Sequence, residues 1–405
     1  MENINSGDDL LSAIHRMIES DHTPSFRELV DQKKKELGIN TDYEFSKMVG
    51  IANNTLARLI DGETQKIDLF SVLKVGQFLG IQFNKIAEVF VASLKPEFVG
   101  ELDLAAKANF ILKNFNLPSL KKIGFIKNTT DIKEIDRKIT SFFGLESIYQ
   151  YGKDIPAALF SRAKQRSKDE MRTMWIVAAV SQFQRINNPN PYDREALLAL
   201  IPKIKYYTLN EESGYVMVLR ALYKVGVTVI MQKYLSNTAV KGASFAINNK
   251  PCITVTDFKQ KYSTIWFTLI HELYHILYDY EELKAWRYHL SGEANLSNDL
   301  FNEDMADSFA RDRLLPKAKL DFIASRIDLP ASVRKYSEQI QVHPSIIYDF
   351  YCYNERYYNN NNDVYSKYQH LFGNPEKAVK IVRTTPFDED SVYEHLKEVE
   401  TVYNF

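Results

Sequence analysis

The chain has 405 residues, 45% hydrophobic and 25% charged, an ordinary globular balance with room for about two or three domains. Its 51 basic and 52 acidic residues leave a net charge of −1, which gives no whole-chain attraction to nucleic acid or to a membrane surface. Two cysteines, Cys252 and Cys352, rule out a disulfide framework and suit a reducing cytosol, and neither is an obvious metal ligand.

Residues 1–24 carry early acids and no continuous apolar core, so they read as an N-terminal extension and not a signal peptide. Residues 25–91 then read as five short helices. Ser25 and Glu28 suit a capping box, in which each side chain satisfies an open amide at a helix start. That helix runs towards Gly38, and DYEFSKMV follows. A tight turn at Gly50-Ile51 leads into NNTLARLI, with Asn53 or Asn54 as N-cap and Gly62 as the stop. LFSVLKVGQFLG and a helix around Ile86–Val91 complete the set. Two short helices joined across a glycine turn form a helix-turn-helix, and the domain is expected over 25–94.

From 95 to 215 the chain is helical and lysine-rich, without recognisable chemistry, and is broken sharply by NNPNPYD. At Val227 the pattern becomes strand-like. VTVIMQ and SFAINNKPCITVT, with a hairpin turn at Asn248-Asn249-Lys250-Pro251, predict a small antiparallel sheet. Its edge strand would be open to an extended peptide. The helix TIWFTLIHELYHIL follows directly, and its longest apolar run, Ile265–Ile270, is too short to cross a bilayer. A second helix spans about Asp299–Arg313. Beyond 330 come a helical pair in SVRKYSEQI and PSIIYDFYCY, a loop in NERYYNNNNDVYSKYQ and a closing helix from about Asp390. The fold class expected is α+β and mostly helical, with the sheet domain over 216–350 and a helical extension over 351–405.

The chemistry lies in HELYH. Residues four apart on a helix share a face, so His271 and His275 offer two imidazoles to one metal ion. Glu272 beside them can reach a water at that metal. The competing reading is an accidental spacing on a core helix. A catalytic zinc takes three protein ligands and keeps one position open, so a third ligand is needed downstream. Asp279, Glu281, Glu282, His289, Glu293, Asp299, Glu303 and Asp304 are the candidates. Asp279 to Glu282 follow His275 too closely on the same helix to fold back over it. Glu303 is favoured because Glu303-x-x-x-Asp307 places two carboxylates on one helix face. One would bind zinc, and the other would accept a hydrogen bond from a ligating histidine. The alternative for that pair is a solvated face. The expected reaction is peptide hydrolysis, with Glu272 taking a proton from the attacking water and returning it to the leaving amine. A further donor should stabilise the oxyanion. His343, Tyr274, Tyr278, Tyr288 and His289 are the candidates, and His343 is preferred because Pro344 would fix its loop.

A strand pair, then FTLIHELYHIL, then NEDMADSFARDRLLP, resembles the ImmA/IrrE metallopeptidases. Their second motif runs Glu-x-x-Ala-Asn/Asp-x-Phe-Ala and continues through a Leu-rich stretch to Pro. Here these are Glu303, Ala306, Asp307, Phe309 and Ala310, closing at Leu314-Leu315-Pro316. The later YSEQIQVHPSIIYDF is similar to the family's helix-turn-helix-like tail. The likeness covers about 220–350 and implies a zincin-like domain with zinc ligands His271, His275 and Glu303, and Glu272 as general base. It also implies a repressor-type helix-turn-helix protein as substrate. Two departures stand out. Tyr274 replaces a glycine of many relatives, where a ring would cover the metal or restrict entry. FYCYNERYY stands where relatives often have a short Arg-Leu ending.

Residues 25–91 resemble the XRE or lambda-repressor type of helix-turn-helix. That likeness makes NNTLARLI the recognition helix and places Asn53, Asn54, Thr55 and Arg58 towards a DNA groove, where Asn and Arg suit adenine and guanine edges. From Ser25 to Val91 nine basic residues face nine acidic ones, with Lys33, Lys34, Lys35, Lys47 and Lys66 as a candidate patch. DNA, a protein partner and a second copy in a homodimer are therefore all open as targets. The combined expectation is a cytoplasmic zinc endopeptidase in a regulatory, stress- or phage-related switch. The alternative is a non-proteolytic DNA-binding regulator, or an antitoxin-like protein, whose zinc domain senses or assembles.

Overall fold

The computed structural model describes residues 24–63, 67–152, 170–236, 238–285, 288–292 and 302–403. Most of the N-terminal extension, Lys66 and the candidate ligands Glu293 and Asp299 lie outside the described residues. The chain divides into two compact units, one ending at Phe110 and the other beginning at Ile111.

The smaller unit contains α1 (Phe26–Leu37), α2 (Asp42–Val49), α3 (Asn53–Ile60), α4 (Leu69–Phe78) and α5 (Phe83–Ser93), and α6 (Pro96–Asn114) follows. The capping box forms as expected, with both Ser25 and Glu28 engaged at the start of α1. Gly50 ends α2 in the left-handed region at φ +73°, the conformation that turns α2 into α3. Asn53 is the first residue of α3 and not its cap, which is Ala52. Phe26, Val30, Phe45, Leu56, Val75 and Ile86 close one apolar core among these helices.

The larger unit begins with α7 (Leu117–Lys122), α8 (Ile132–Phe143), α9 (Glu170–Ile186), α10 (Arg194–Ile204) and α11 (Gly214–Lys224). The sheet strands are β1 (Thr228–Gln232), β2 (Val240–Ile247), β3 (Lys250–Thr256), β4 (His289–Gly292) and β5 (Arg383–Thr384). Between β3 and β4 lie α12 (Tyr262–Tyr278) and α13 (Tyr280–Lys284). After β4 come α14 (Glu303–Leu314), α15 (Lys317–Ala324), α16 (Pro330–Ile340), α17 (Pro344–Asn359), α18 (Asp363–Tyr368) and α19 (Glu376–Val379), with α20 (Leu396–Tyr403) closing the chain. The described residues are thus mostly helical, with one small sheet in the larger unit, which is the α+β class.

The sheet order is β4-β2-β3-β1-β5, and the sheet is mixed where the sequence suggested antiparallel pairing throughout. The β2–β3 hairpin is antiparallel as expected, and β4 pairs antiparallel with β2. β1 runs parallel to β3 because the hairpin inserts its second strand, not its first, beside β1. β5 adds a second parallel neighbour from the far end of the chain. The strands are almost wholly buried, which explains their unbroken apolar sequences. Alternate residues of β2 serve opposite faces. Phe245 meets Phe183 of α9, with ring centroids 5.4 Å apart. Gly242 and Ser244 face α12. Helix α9 is buried along most of its circumference, as an apolar helix must be when both sides are covered.

Residues 111–405 form one compact unit, which takes in 111–215 together with the segments 216–350 and 351–405. The sheet joins them. Gln182 of α9 donates to Gln232 of β1 at 2.9 Å, and Arg220 of α11 donates to the carbonyl of Val402 at 2.7 Å. Tyr403 donates to the carbonyl of Val229. The tyrosine- and asparagine-rich stretch also differs from the loop expected of it. Helix α17 continues to Asn359, with Tyr353 and Tyr357 stacked at 5.5 Å, and Asn360 ends it at φ +51°. Asparagine tolerates that conformation, so the residues that suggested a loop are the helix stop.

Gly226 makes the turn from α11 into β1 at φ +82°, where a Cβ would lie 2.3 Å from the carbonyl oxygen of Pro191. Gly226→Ala should therefore destabilise the larger unit by roughly 2–3 kcal/mol through combined strain and overlap. Urea denaturation followed by tryptophan fluorescence measures it, and an unchanged midpoint would remove the close approach as a constraint.

Candidate metal centre

Helix α12 carries the first two functional side chains into the interior. Its apolar residues bury Ile265, Trp266, Leu269, Ile270, Leu273 and Ile276, which fixes the helix against the sheet. His271 and His275 then project from one side, their Nε2 atoms 3.4 Å apart. Helix α14 lies along that side. Ala306 and Ala310 are fully buried, and such small side chains let two helices approach closely. On a helix, Glu303 and Asp307 share a face with these alanines. Asn302 caps α14, so Glu303 is its first residue and its negative charge is favoured by the helix dipole.

Glu303 closes on both histidines. Its Oε2 is 3.4 Å from His271 Nε2, and its Oε1 is 3.4 Å from His275 Nε2. His289, the first residue of β4, joins them with Nε2 2.9 Å from Glu303 Oε1. The four ligand atoms all lie within 4.8 Å of one another. Tetrahedral zinc with bonds of about 2.0–2.2 Å spaces its ligands about 3.3–3.6 Å apart, so the 3.4 Å separations among His271, His275 and Glu303 fit that ion, while the 2.9 Å between His289 and Glu303 is closer than that spacing. Imidazole nitrogens and a carboxylate are also donors that zinc takes.

The distal nitrogens are fixed as well. His271 Nδ1 lies 2.9 Å from Asp307 Oδ1, and His275 Nδ1 lies 2.7 Å from Asp279 Oδ2. Each carboxylate can accept the Nδ1 proton and leave Nε2 as the lone-pair donor towards the centre. The electrostatics favour a cation here. Burial alone would lower His271, but the carboxylates of Asp307 and Glu303 outweigh it and raise His271 to about 10. His275 moves up for the same reason, against burial, through Asp279 and Glu303. Burial pushes Glu303 up, yet its three histidine neighbours hold it well below the usual carboxylate range. His289 is lowered, chiefly by burial.

Glu272 is fully buried beside the cluster. Ser244 of β2 donates to its Oε2 at 2.6 Å, and Ser291 of β4 donates to Oε1. A carboxylate has about four acceptor sites, so two remain after both serines are served. Gly242 makes this possible, because a Cβ there would sit 2.7 Å from Glu272 Oε1. Opposite Gly242 in the register is Ser291, and opposite Ser244 is His289. One short strand thus delivers both a donor to the cluster and a clamp for Glu272.

The structure brings together His271, His275, Glu303, Asp307 and Glu272. It does not bring His343 to them. That residue caps α17, with Nδ1 2.7 Å from Ser345 Oγ and Nε2 2.8 Å from Glu211 Oε1. Its ring packs on Tyr262, nine residues before His271 and so about 13 Å further along α12. Pro344 marks a helix start there and not a catalytic loop. Tyr274 turns towards α14, its ring 5.6 Å from Phe309 and 4.8 Å from Tyr278, and joins the helix packing without entering the ligand set. Asp279 was weighed in the sequence only as a ligand, and His289 was among the candidate ligands passed over in favour of Glu303, though it joins the cluster as well. Asp279 repeats the four-residue spacing that singled out Asp307. His289 reaches the cluster through strand register, which leaves no local signal.

In the smaller unit Asn53 and Asn54 are exposed at the start of α3, and Thr55 and Arg58 are half-buried. Two lysines of the candidate patch are ion-paired, Lys33 with Glu36 at 2.9 Å and Lys34 with Asp42 at 2.6 Å. Among the described residues no helix is long and apolar enough to cross a membrane. Comparison of the chain with protein-family models, curated proteins and solved structures gives no match.

Asp279→Ala and Asp307→Ala should each weaken zinc binding about 10–100-fold, because each loses the group that orients a histidine. Competition with a chromophoric chelator measures this. Affinity within about twofold of the parent would deny that carboxylate an orienting role.

Proposed function

We propose that the larger unit is a zinc endopeptidase acting in a regulatory switch, with a helix-turn-helix protein of the repressor type as its substrate. The observation that carries this reading is the convergence of His271, His275 and Glu303 at zinc-ligand spacing beside the buried carboxylate of Glu272. The likeness of HELYH and NEDMADSFARDRLLP to the ImmA/IrrE motifs supports it, and that family's substrates suggest the repressor.

Zinc held by this set would supply Lewis acidity, polarising a peptide carbonyl and acidifying water. The protein's own part falls to Glu272. Its two remaining acceptor sites take the proton of the attacking water and hold it for the departing amine. Ser244 keeps the carboxylate from swinging away during that exchange. Asp307 and Asp279 hold the imidazoles in place throughout. The smaller unit would then bring this chemistry to DNA, through Asn53, Asn54, Thr55 and Arg58, or to a partner protein.

A second reading is a regulator that binds zinc for sensing or assembly and does not cut. The fully buried His289 beside the ligand set favours it, since structural zinc sites are closed by protein donors. Incubating the zinc-loaded protein with repressor-type proteins encoded in neighbouring genes separates the two. Glu272→Gln should lower cleavage about 10²–10⁴-fold while retaining its zinc. Cleavage by both proteins equally would rule out Glu272 as the base. Regulation that persists in Glu272→Gln would instead favour the second reading.

A further inference from the structure

We propose that His289 is a fourth ligand of the centre, so that the resting site is closed by protein donors and water gains entry only when His289 withdraws. The coordination rests on geometry alone, and its consequence for hydrolysis rests on the peptidase reading above. His289 is fully buried, its ring 4.1 Å from that of His275, and its ligand atom shares the 4.8 Å sphere of the other three. Four donors complete a tetrahedral shell, whereas a hydrolytic zinc needs one position for water. The two requirements conflict unless one donor leaves.

The fold marks which donor that is. His271 and His275 are anchored on α12 by its apolar face, and Glu303 opens α14, which packs against α12. His289 sits on a four-residue strand at the end of the sheet order, and among the described residues that strand pairs only with β2. The β2–β4 register shifts between Val240 and Gly242, so the ladder is interrupted just past Ser291, two residues along β4 from His289. A short edge strand with an irregular ladder detaches at lower cost than either helix. Because Ser291 clamps Glu272 from the same strand, movement of β4 would open the metal and free a further acceptor site on Glu272 together. An extended peptide pairing with the edge of β4 that no described strand covers is the chemistry suited to move it.

The rival geometry is a hydrogen bond from His289 Nε2 to Glu303 Oε1 at the observed 2.9 Å, with His289 outside the coordination shell. X-ray absorption on the full zinc-loaded protein separates the two by counting imidazoles. The proposal expects three in the wild type and two, with a new light-atom oxygen donor, in His289→Ala. Two imidazoles in the wild type would overturn it, and that count needs no variant to fold. The cobalt-loaded protein gives an independent reading: its visible bands should shift in His289→Ala, and identical spectra would also overturn the proposal. With any substrate that the wild type cleaves, His289→Ala and His289→Asn should act faster per bound zinc. Slower cleavage per zinc in both would overturn the gating. If no substrate is cleaved by any form while three imidazoles are counted, the peptidase reading fails and the closed centre stands.

Discussion

Three imidazoles and a carboxylate occupy one buried space between α12, β4 and α14, and the larger unit is arranged around the cost of placing them there. Each group prefers water, and burying any of them unpaired would cost several kcal/mol. The structure offsets that cost by pairing outward as well as inward. Asp307 and Asp279 take the outer nitrogens of the two α12 histidines, and Glu303 faces all three imidazoles. The result is a region of negative field at the surface of a hydrophobic helix. A divalent cation satisfies it, and a neutral core does not.

The amount of this that could be read from the sequence follows from how local each contact is. His271, Glu272 and His275 belong to one helix turn, and Glu303 with Asp307 to another, so helical spacing alone exposed both halves of the site. Asp279 was equally local but was weighed only as a ligand, for which its helix position is wrong. The same position is right for holding Nδ1 of His275. His289 depends on pairing with Ser244 across a sheet whose register is set by a bulge, and nothing in its neighbours announces that. His343 shows the reverse error, since the proline after it signalled a helix start. The sheet was legible as far as its hairpin. Its parallel pairings join strands distant in sequence, and β5 has only two residues to announce itself.

The smaller unit raises a different question, because its fold and its charge point in different directions. Five helices around an apolar core, with a glycine turn between α2 and α3, are what the proposed helix-turn-helix reading asks of this unit. Asparagines 53 and 54 are exposed where such a helix meets its target. DNA affinity, however, comes largely from cations that neutralise phosphates. Lys33 and Lys34 are engaged with Glu36 and Asp42, which lowers the local positive field available for that purpose. Under the proposed reading, the same scaffold with balanced charge suits recognition of a protein surface at least as well as DNA.

Glu272 connects the chemistry to the sheet. In a helix–sheet contact the usual filling is apolar, yet here β2 contributes glycine and serine, and β4 contributes serine, towards one fully buried carboxylate. A structural metal centre needs no such carboxylate, because Glu272 is not among the four clustered donors. Burying it costs free energy that two serine hydroxyls only partly return, since hydrogen bonds to a charged group contribute about 1.5–3 kcal/mol each. An apolar residue at this position would pack the interface at lower cost. The retention of a buried carboxylate between the sheet and the ligand helix is therefore the feature that a purely structural account leaves unexplained and that the proposed hydrolysis would use.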